Sequence, residues 1–306
     1  MSKSRVKKTV SNAEYSPYLA LVVVQAFFGS LPVIGKVVLK VVPAVGLVGF
    51  RVGITAIILL IIQAARGRIW LKDRGDYWRL GVLSLFGVTF NQLLFINGLS
   101  LTKATNASVL LVTIPIFALT VGTIAGTETL RRLKVAGIFL AAVGVVLIID
   151  PRAASFSFET TLGDLLIISN SLSFGIYVAT SKDVITRNGA IRSMTWVFVF
   201  AAIVCVPLGM YSMSGVDVAA IEPIIWFLVV YVAIVATAIP YLLNAWALAR
   251  VNPSTVAVFV YMQPLIGFLL AVIFLGEHVD FKFVIAAALI FAGVFLVTRK
   301  FVPVET

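Results

Sequence analysis

The stretch Thr113–Glu128, "TIPIFALTVGTIAGTE", sets a proline in an apolar run, follows it with small residues and ends on a carboxylate. Met262–Glu277, "MQPLIGFLLAVIFLGE", repeats that plan, and Pro115/Pro264 and Glu128/Glu277 are each separated by 149 residues. The same offset carries Leu99 onto Leu248, Thr105 onto Ser254 and Gly144 onto Gly293. Near the start of each half, "FFGSLPVIGK" matches "SFGIYVATSK" at an offset of 146, with Gly29 on Gly175 and Lys36 on Lys182. Apolar segments resemble one another by chance, but collinear matches that include Pro, Glu and Lys favour an internal duplication.

The duplicated units belong in a membrane. Of 306 residues, 61% are hydrophobic and 12% charged, against about 45–50% and 25% in soluble domains. Apolar segments of about 20 residues, each able to cross a roughly 30 Å hydrocarbon core, fall near 18–38, 43–64, 78–99, 104–125, 133–149, 163–182, 191–210, 223–247, 254–275 and 281–298. The first follows Lys3, Arg5, Lys7 and Lys8 and is too long for a signal-peptide core, so it reads as a retained span. An odd number of spans per half sends the second half in from the opposite side. The fold predicted is therefore an all-α integral membrane protein, ten transmembrane helices arranged as two inverted five-helix repeats. Its parts are an N-terminal tail 1–16, a first repeat 17–149, a linker 150–162, a second repeat 163–298 and a C-terminal tail 299–306.

A net charge of +11 would suggest nucleic acid in a soluble protein, but these cations sit in short connections between spans. With the N-terminus inside, 18 of the 24 basic residues fall in inner connections and five in outer ones. That bias predicts a multi-pass protein of the plasma or inner membrane with both termini cytoplasmic. One cysteine, Cys205, rules out an internal disulfide, and one histidine, His278, cannot build a His-rich metal site.

Pro115 and Pro264 each remove a backbone hydrogen bond midway through a span, which predicts a bend that is either a hinge or a static kink. Glu128 and Glu277 end their spans and are expected to cap the helix that follows each. Thr127 interrupts the Gly-Glu pair in the first copy. Arg51 lies about eight residues into the second span, roughly 12 Å below the outer edge of the core. An arginine at that depth either pairs with a substrate anion or is satisfied by carbonyls, Tyr and Asn within the bundle. Lys36 and Lys182 are expected to snorkel to the headgroups.

Polar residues at helical spacing mark faces turned from lipid: Ser169, Ser173, Tyr177 and Thr180 in the sixth span, and Thr237, Tyr241 and Asn244 in the eighth. Asn91, Gln92 and Gln263 add amides, and Phe28, Trp196, Trp246 and Tyr261 add aromatic surface. Singly, such groups serve as packing glue between helices; as a set they predict a cavity. The candidate substrate-binding residues are Arg51, Asn91, Gln92, Ser173, Tyr177, Trp196, Tyr241, Asn244, Tyr261 and Gln263, with Pro115 and Pro264 as candidate hinges.

The two copies "ATNASVLLVTIPIFALTVGTIAGTETLRRLKVAGIFLAAVGVVLI" and "NPSTVAVFVYMQPLIGFLLAVIFLGEHVDFKFVIAAALIFAGVFLV" resemble the EamA type of the drug/metabolite transporter (DMT) superfamily. The resemblance implies ten helices, alternating access and export or exchange of small metabolites. It does not fix the substrate; the leading reading is a secondary transporter of small metabolites such as amino acids or related amphipathic solutes. A channel or facilitator is the alternative, and a membrane-embedded enzyme a more distant one. No phosphate-loop motif, H-E-x-x-H or G-x-S-x-G occurs. No cofactor, metal or catalytic residue is expected. The partners are a small solute and membrane lipid, not nucleic acid, with monomer and homodimer both compatible.

Overall fold

Lipid cannot hydrogen-bond a peptide group, so long apolar runs must satisfy their own backbone, which they do as helices. The computed structural model describes residues 2–67, 69–149, 160–266, 269 and 281–299, and among them the regular structure is helical throughout. The helices are α1 Ser2–Val38, α2 Ala44–Ala65, α3 Gly75–Leu101, α4 in two pieces Ala104–Leu110 and Thr113–Ile124, and α5 Arg132–Ile149. The second half continues with α6 Thr161–Asn188, α7 Ala190–Met213, α8 Pro223–Leu248, α9 Pro253–Ile266 and α10 Phe281–Thr298. Nine of these are long and apolar enough to cross a membrane, and Pro253–Ile266 is a shorter apolar helix. The far part of the predicted ninth span, with Gly276, Glu277 and His278, lies outside the described residues.

The duplication reappears in the backbone. One turn of π-helix interrupts α3 at Leu85–Thr89 and another interrupts α8 at Ile234–Ala238, the same 149 residues apart. The break in α4 between Leu110 and Thr113 recurs in α9 as a 3₁₀ turn at Phe259–Tyr261. Both breaks come just ahead of the prolines. Pro115 has no N–H to give the Leu111 carbonyl and its ring crowds that carbonyl, so the chain tightens into i+3 bonds from Val112 to Val109 and from Ile114 to Leu111.

Glycine contacts fix how the copies face each other. The 149-residue offset maps Gly137 onto Ala286 and Gly144 onto Gly293. Gly144 lies so close to α10 that a Cβ there would stand 2.7 Å from the Ala286 carbonyl oxygen, and one on Gly137 would stand 2.7 Å from that of Gly293. Each residue thus meets the counterpart of the other, the pattern of a two-fold axis. The Tyr261 hydroxyl donates to the carbonyl of Val112, its own counterpart, at 2.7 Å, so this contact lies on the axis. α5 therefore runs antiparallel to α10, as inverted repeats require. Likewise α2 crosses α7 where a Cβ on Gly49 would stand 2.9 Å from the Gly209 Cα. Around the axis α3 packs on α6, α1 on α8, and α4 on both α6 and α9.

Three positive-φ glycines turn the chain at the face that carries most of the cations, the basic face, among them Gly67, φ +67°, after α2. Gly189, φ +84°, is the only residue between α6 and α7, and Gly126, φ +70°, ends α4. Nearby, buried Asp76 at the start of α3 accepts Arg187 Nε at 3.0 Å, Arg187 Nη2, and Asn188 Nδ2 at 2.6 Å from the end of α6. On the opposite face Asp164, in the first turn of α6, accepts Thr102 Oγ1 at 2.6 Å, Thr160 Oγ1 at 3.1 Å and Asn106 Nδ2 at 3.2 Å. Lys36 Nζ donates to the Thr102 carbonyl at 2.8 Å, where the end of α3 leaves a carbonyl unanswered.

Gly144→Val should overpack the α5/α10 crossing and cost about 1–3 kcal/mol. The purified protein's thermal midpoint should fall, while Gly215→Val, which faces open space, should leave it unchanged. Equal midpoints for the two variants would show that the crossing does not set stability.

Candidate functional site

A cavity of about 80 Å³ lies beside the two broken helices, against the segments of α3 and α8 that follow their π turns. Its wall takes Phe28 and Leu31 from α1, Arg51 from α2, Asn91, Gln92 and Phe95 from α3, Leu111 and Ile114 from α4, Asn170 and Phe174 from α6, Tyr241 from α8, and Val260 and Gln263 from α9. The residues on α1, α2, α3 and α6 fall in the halves of those helices away from the basic face. The space is thus mid-membrane and displaced toward the opposite face.

A π turn leaves carbonyls without their usual helical donors, and the polar side chains answer them first. Tyr241 places its hydroxyl 3.0 Å from the Gly87 carbonyl and 2.9 Å from Asn91 Oδ1, a shared donation. Asn91 Nδ2 donates to Asn170 Oδ1 at 2.6 Å, and Ser173 Oγ donates to the Phe86 carbonyl at 2.8 Å. On the α8 turn, Thr55 Oγ1 donates to the Ala233 carbonyl at 3.0 Å and Thr237 Oγ1 to that of Val232 at 2.7 Å. Gln263 Nε2 donates to Gln25 Oε1 at 2.8 Å, joining α9 to α1.

Arg51 is not fully used by this network. It is 2% exposed, and its Nε donates to Thr237 Oγ1 at 3.0 Å, but Nη1 is buried with no partner. Both amide atoms of Gln92, also 2% exposed, are likewise unanswered. A buried donor of a charged group left unpaired costs more than the roughly 1–3 kcal/mol of a neutral one. The arrangement can receive an acceptor oxygen at Arg51 and a donor or acceptor at Gln92. Among the described residues no group of His, Cys, Asp and Glu is placed to hold a metal ion.

Five of the ten candidate binding residues, Arg51, Asn91, Gln92, Tyr241 and Gln263, come together in this wall, and Phe28 lies edge-on to Tyr241 at 6.0 Å. The other five stand outside it. Ser173 is spent on the α3 carbonyl, the Tyr177 hydroxyl reaches Met194 Sδ at 3.5 Å, and Tyr261 holds the axis. Trp196 belongs to the basic face, where its indole N–H donates to the Ile69 carbonyl at 2.9 Å and its ring meets Tyr77 edge-on at 4.8 Å. Asn244 is buried one turn beyond Tyr241 with Oδ1 unpartnered, outside the cavity wall. Pro115 and Pro264 flank the breaks that line the cavity through Leu111, Ile114, Val260 and Gln263.

The stripe expected on α6 needs correction, because Ser169 and Thr180 are exposed. The buried face instead runs through Gly163, Ile167, Asn170, Phe174, Tyr177 and Ser181, alternating steps of four and three. Asn170 is one position, or about 100° around the helix, from Ser169. Reading the spacing as three-four alternation would have found Asn170 and Phe174.

Glu128 caps a different helix from the one expected. Its Oε1 accepts the backbone N–H of Ser254 at 2.9 Å and the Ser254 hydroxyl at 2.8 Å, in the first turn of α9, while Lys134 Nζ pairs with Oε2. The carboxylate is only 8% exposed and locks the end of the fourth span in the first repeat to the start of the ninth in the second. Thr127, the interruption in that motif, donates its hydroxyl to the Ala179 carbonyl at 2.9 Å, adding α6 to the lock. α4, α6 and α9 are thereby tied together at the basic face.

The profile of the EamA-like transporter family matches residues 16–150 and again 161–299, one match to each set of five helices. The chain belongs to that family. It is 31% identical over 232 residues to an "Uncharacterized transporter" of Archaeoglobus fulgidus, covering 75% of this chain and 79% of that one. To the "Uncharacterized transporter YetK" of Bacillus subtilis it is 23% identical over 287 residues, covering 92% and 87%. A crystal structure 20% identical in sequence superposes with a TM-score of 0.75 over 94% of this chain and 96% of that one, a likeness of fold. The EamA protein is therefore a multi-pass membrane transporter built from two repeats.

Removing Glu128 leaves Lys134 and the Ser254 N–H unanswered in a buried place, a loss of several kcal/mol. In a Cys205→Ala background carrying Val258→Cys, a site with 0% exposure between lock and cavity, Glu128→Ala should speed labelling by a membrane-impermeant maleimide about tenfold or more. Unchanged labelling would mean that Glu128 does not hold this face shut.

Proposed function

We propose that this transporter is a secondary carrier of small metabolites bearing a carboxylate or phosphate, foremost amino acids and related amphipathic solutes. The observation that carries this reading is the unpartnered Nη1 of Arg51 in a mid-membrane cavity. An intramembrane cation with an unspent donor suits an anionic acceptor, and the charge-assisted bond is among the stronger ones available. Gln92, Asn91 and Asn170 lie across the cavity as amides able to receive a solute ammonium or hydroxyl. A volume of about 80 Å³, set against the roughly 300–1,000 Å³ of sites for drug-sized ligands, favours a small solute over a bulky one.

The transport cycle we infer is alternating access with net export or exchange. The basic face is taken as cytoplasmic, which puts both termini inside a plasma or inner membrane. The conformation described is then the one shut toward the cytoplasm by the Glu128 lock. Broken helices in both repeats provide paired bends about which the ends of α4 and α9 can part, and inverted repeats allow an equivalent closure on the other side. Relatives named as transporters support the general class, and the charged group in the cavity supports the solute class.

In liposomes, uptake of a carboxylate solute should saturate and should accelerate when unlabelled solute is loaded on the far side. A charge-assisted hydrogen bond is worth about 1.5–3 kcal/mol, so Arg51→Gln should raise the half-saturating concentration roughly 10–100-fold at unchanged folded yield. Unaltered kinetics would remove Arg51 from the site, and saturable uptake without acceleration would refute exchange.

A further inference from the structure

Thr237 makes a bond that a regular helix does not offer. A helical threonine returns its hydroxyl proton to a carbonyl three or four residues back, as Thr195 does to Ile191 and Thr180 to Ile176. Thr237, in the π turn of α8, reaches five residues back and donates to the Val232 carbonyl at 2.7 Å. A hydroxyl has one proton and two lone pairs. With the proton committed to Val232, the oxygen can only accept, and it accepts Arg51 Nε at 3.0 Å. A guanidinium has donors and no acceptor, so the bond runs in the one direction that both groups allow. The register shift of the π turn, through this hydroxyl, reaches the arginine on α2.

The consequence for the site follows from the shape of the guanidinium. Its atoms are coplanar, so fixing Nε restricts the plane and with it the directions of the two Nη groups. Arg51 lines the mid-membrane cavity with Nη1 buried and unpartnered. A loose arginine would lose rotamer freedom when an anion bound; one already held loses less. The arrangement is made once. The corresponding π turn of α3 has Val88 where α8 has Thr237, and α7, which packs on that turn as α2 packs on the other, carries no charged residue after Arg192. The geometry points to Thr237 as a positioning residue, which aims Arg51 at the anionic group of the solute at one such site per chain. This role rests on Arg51 being the group that receives a solute anion.

Nuclear magnetic resonance of the full-length protein in detergent micelles, carrying isotope-labelled arginine, tests this through the Nε–H signal of Arg51, identified by its loss in Arg51→Gln. The signal should exchange slowly with water in the parent and in Thr237→Ser, which keeps the hydroxyl. In Thr237→Val, which keeps the shape, it should shift and exchange about tenfold faster. Titration with potassium acetate, as a carboxylate probe, should move the parent signal saturably, and Thr237→Val should bind acetate about tenfold more weakly. Thr55→Val removes the donor to Ala233 in the same turn but leaves the bond to Arg51, and should match the parent in both measurements. Equal losses in Thr55→Val and Thr237→Val would assign Thr237 to the fold of the turn and overturn the positioning role. Acetate binding that survives Thr237→Val overturns the positioning alone, whereas a parent signal indifferent to acetate overturns the reading of Arg51 as the anion group and the role with it.

Discussion

Every peptide group inside the hydrocarbon must find its partner within the protein, and the consequences of that constraint organise this molecule. Regular helices satisfy it along most of the chain. Pro115 and the two π turns violate it locally, freeing carbonyls at mid-depth, and the break before Pro264 falls at the same level. Tyr241, Ser173, Thr55, Thr237 and Tyr261 are consumed in answering carbonyls there. Arg51 Nη1 and the Gln92 amide remain over in the wall of the cavity. Much of the polar interior therefore serves to repair the backbone, and the unspent groups of Arg51 and Gln92 are the part of the remainder that faces the cavity.

The repeat gives this repair its geometry. Gly137 against Gly293 and Gly144 against Ala286 are one contact made twice, and they bring the backbones of α5 and α10 closer than any larger side chain would allow. Small residues are what permit that approach where lipid supplies no hydrophobic drive between helices. The Tyr261 to Val112 bond then fixes the point about which the two broken helices are related.

On each face a buried carboxylate ties helix ends together. Glu128, Lys134, Ser254 and Thr127 join α4, α5, α6 and α9 on the basic face, across the boundary between repeats, and Asp164 with Thr102, Asn106 and Thr160 joins α3, α4 and α6 on the other. Buried carboxylates suit this role because each gathers several donors, and losing the arrangement leaves a charge uncompensated.

Legibility followed the range of the interactions. Membrane class, span positions, the 149-residue duplication, the helix breaks at the prolines and the depth of Arg51 were all determined by the sequence itself, because hydrocarbon thickness, hydrophobic run length and a missing proline N–H act along the chain. Five cavity residues were legible too, since a polar group within a span is conspicuous. Only the tertiary structure decided that Glu128 caps α9 rather than α5, that Trp196 serves the basic face, and that Asn170 and Phe174, not Ser169 and Thr180, face inward. Those outcomes turn on which helix lies alongside and on a rotation of about 100° per residue, and the partner lies 126 residues away for Glu128 and Ser254. The unspent donor of Arg51 belongs to the same class: whether a buried group is satisfied depends on every neighbour that packing brings to it.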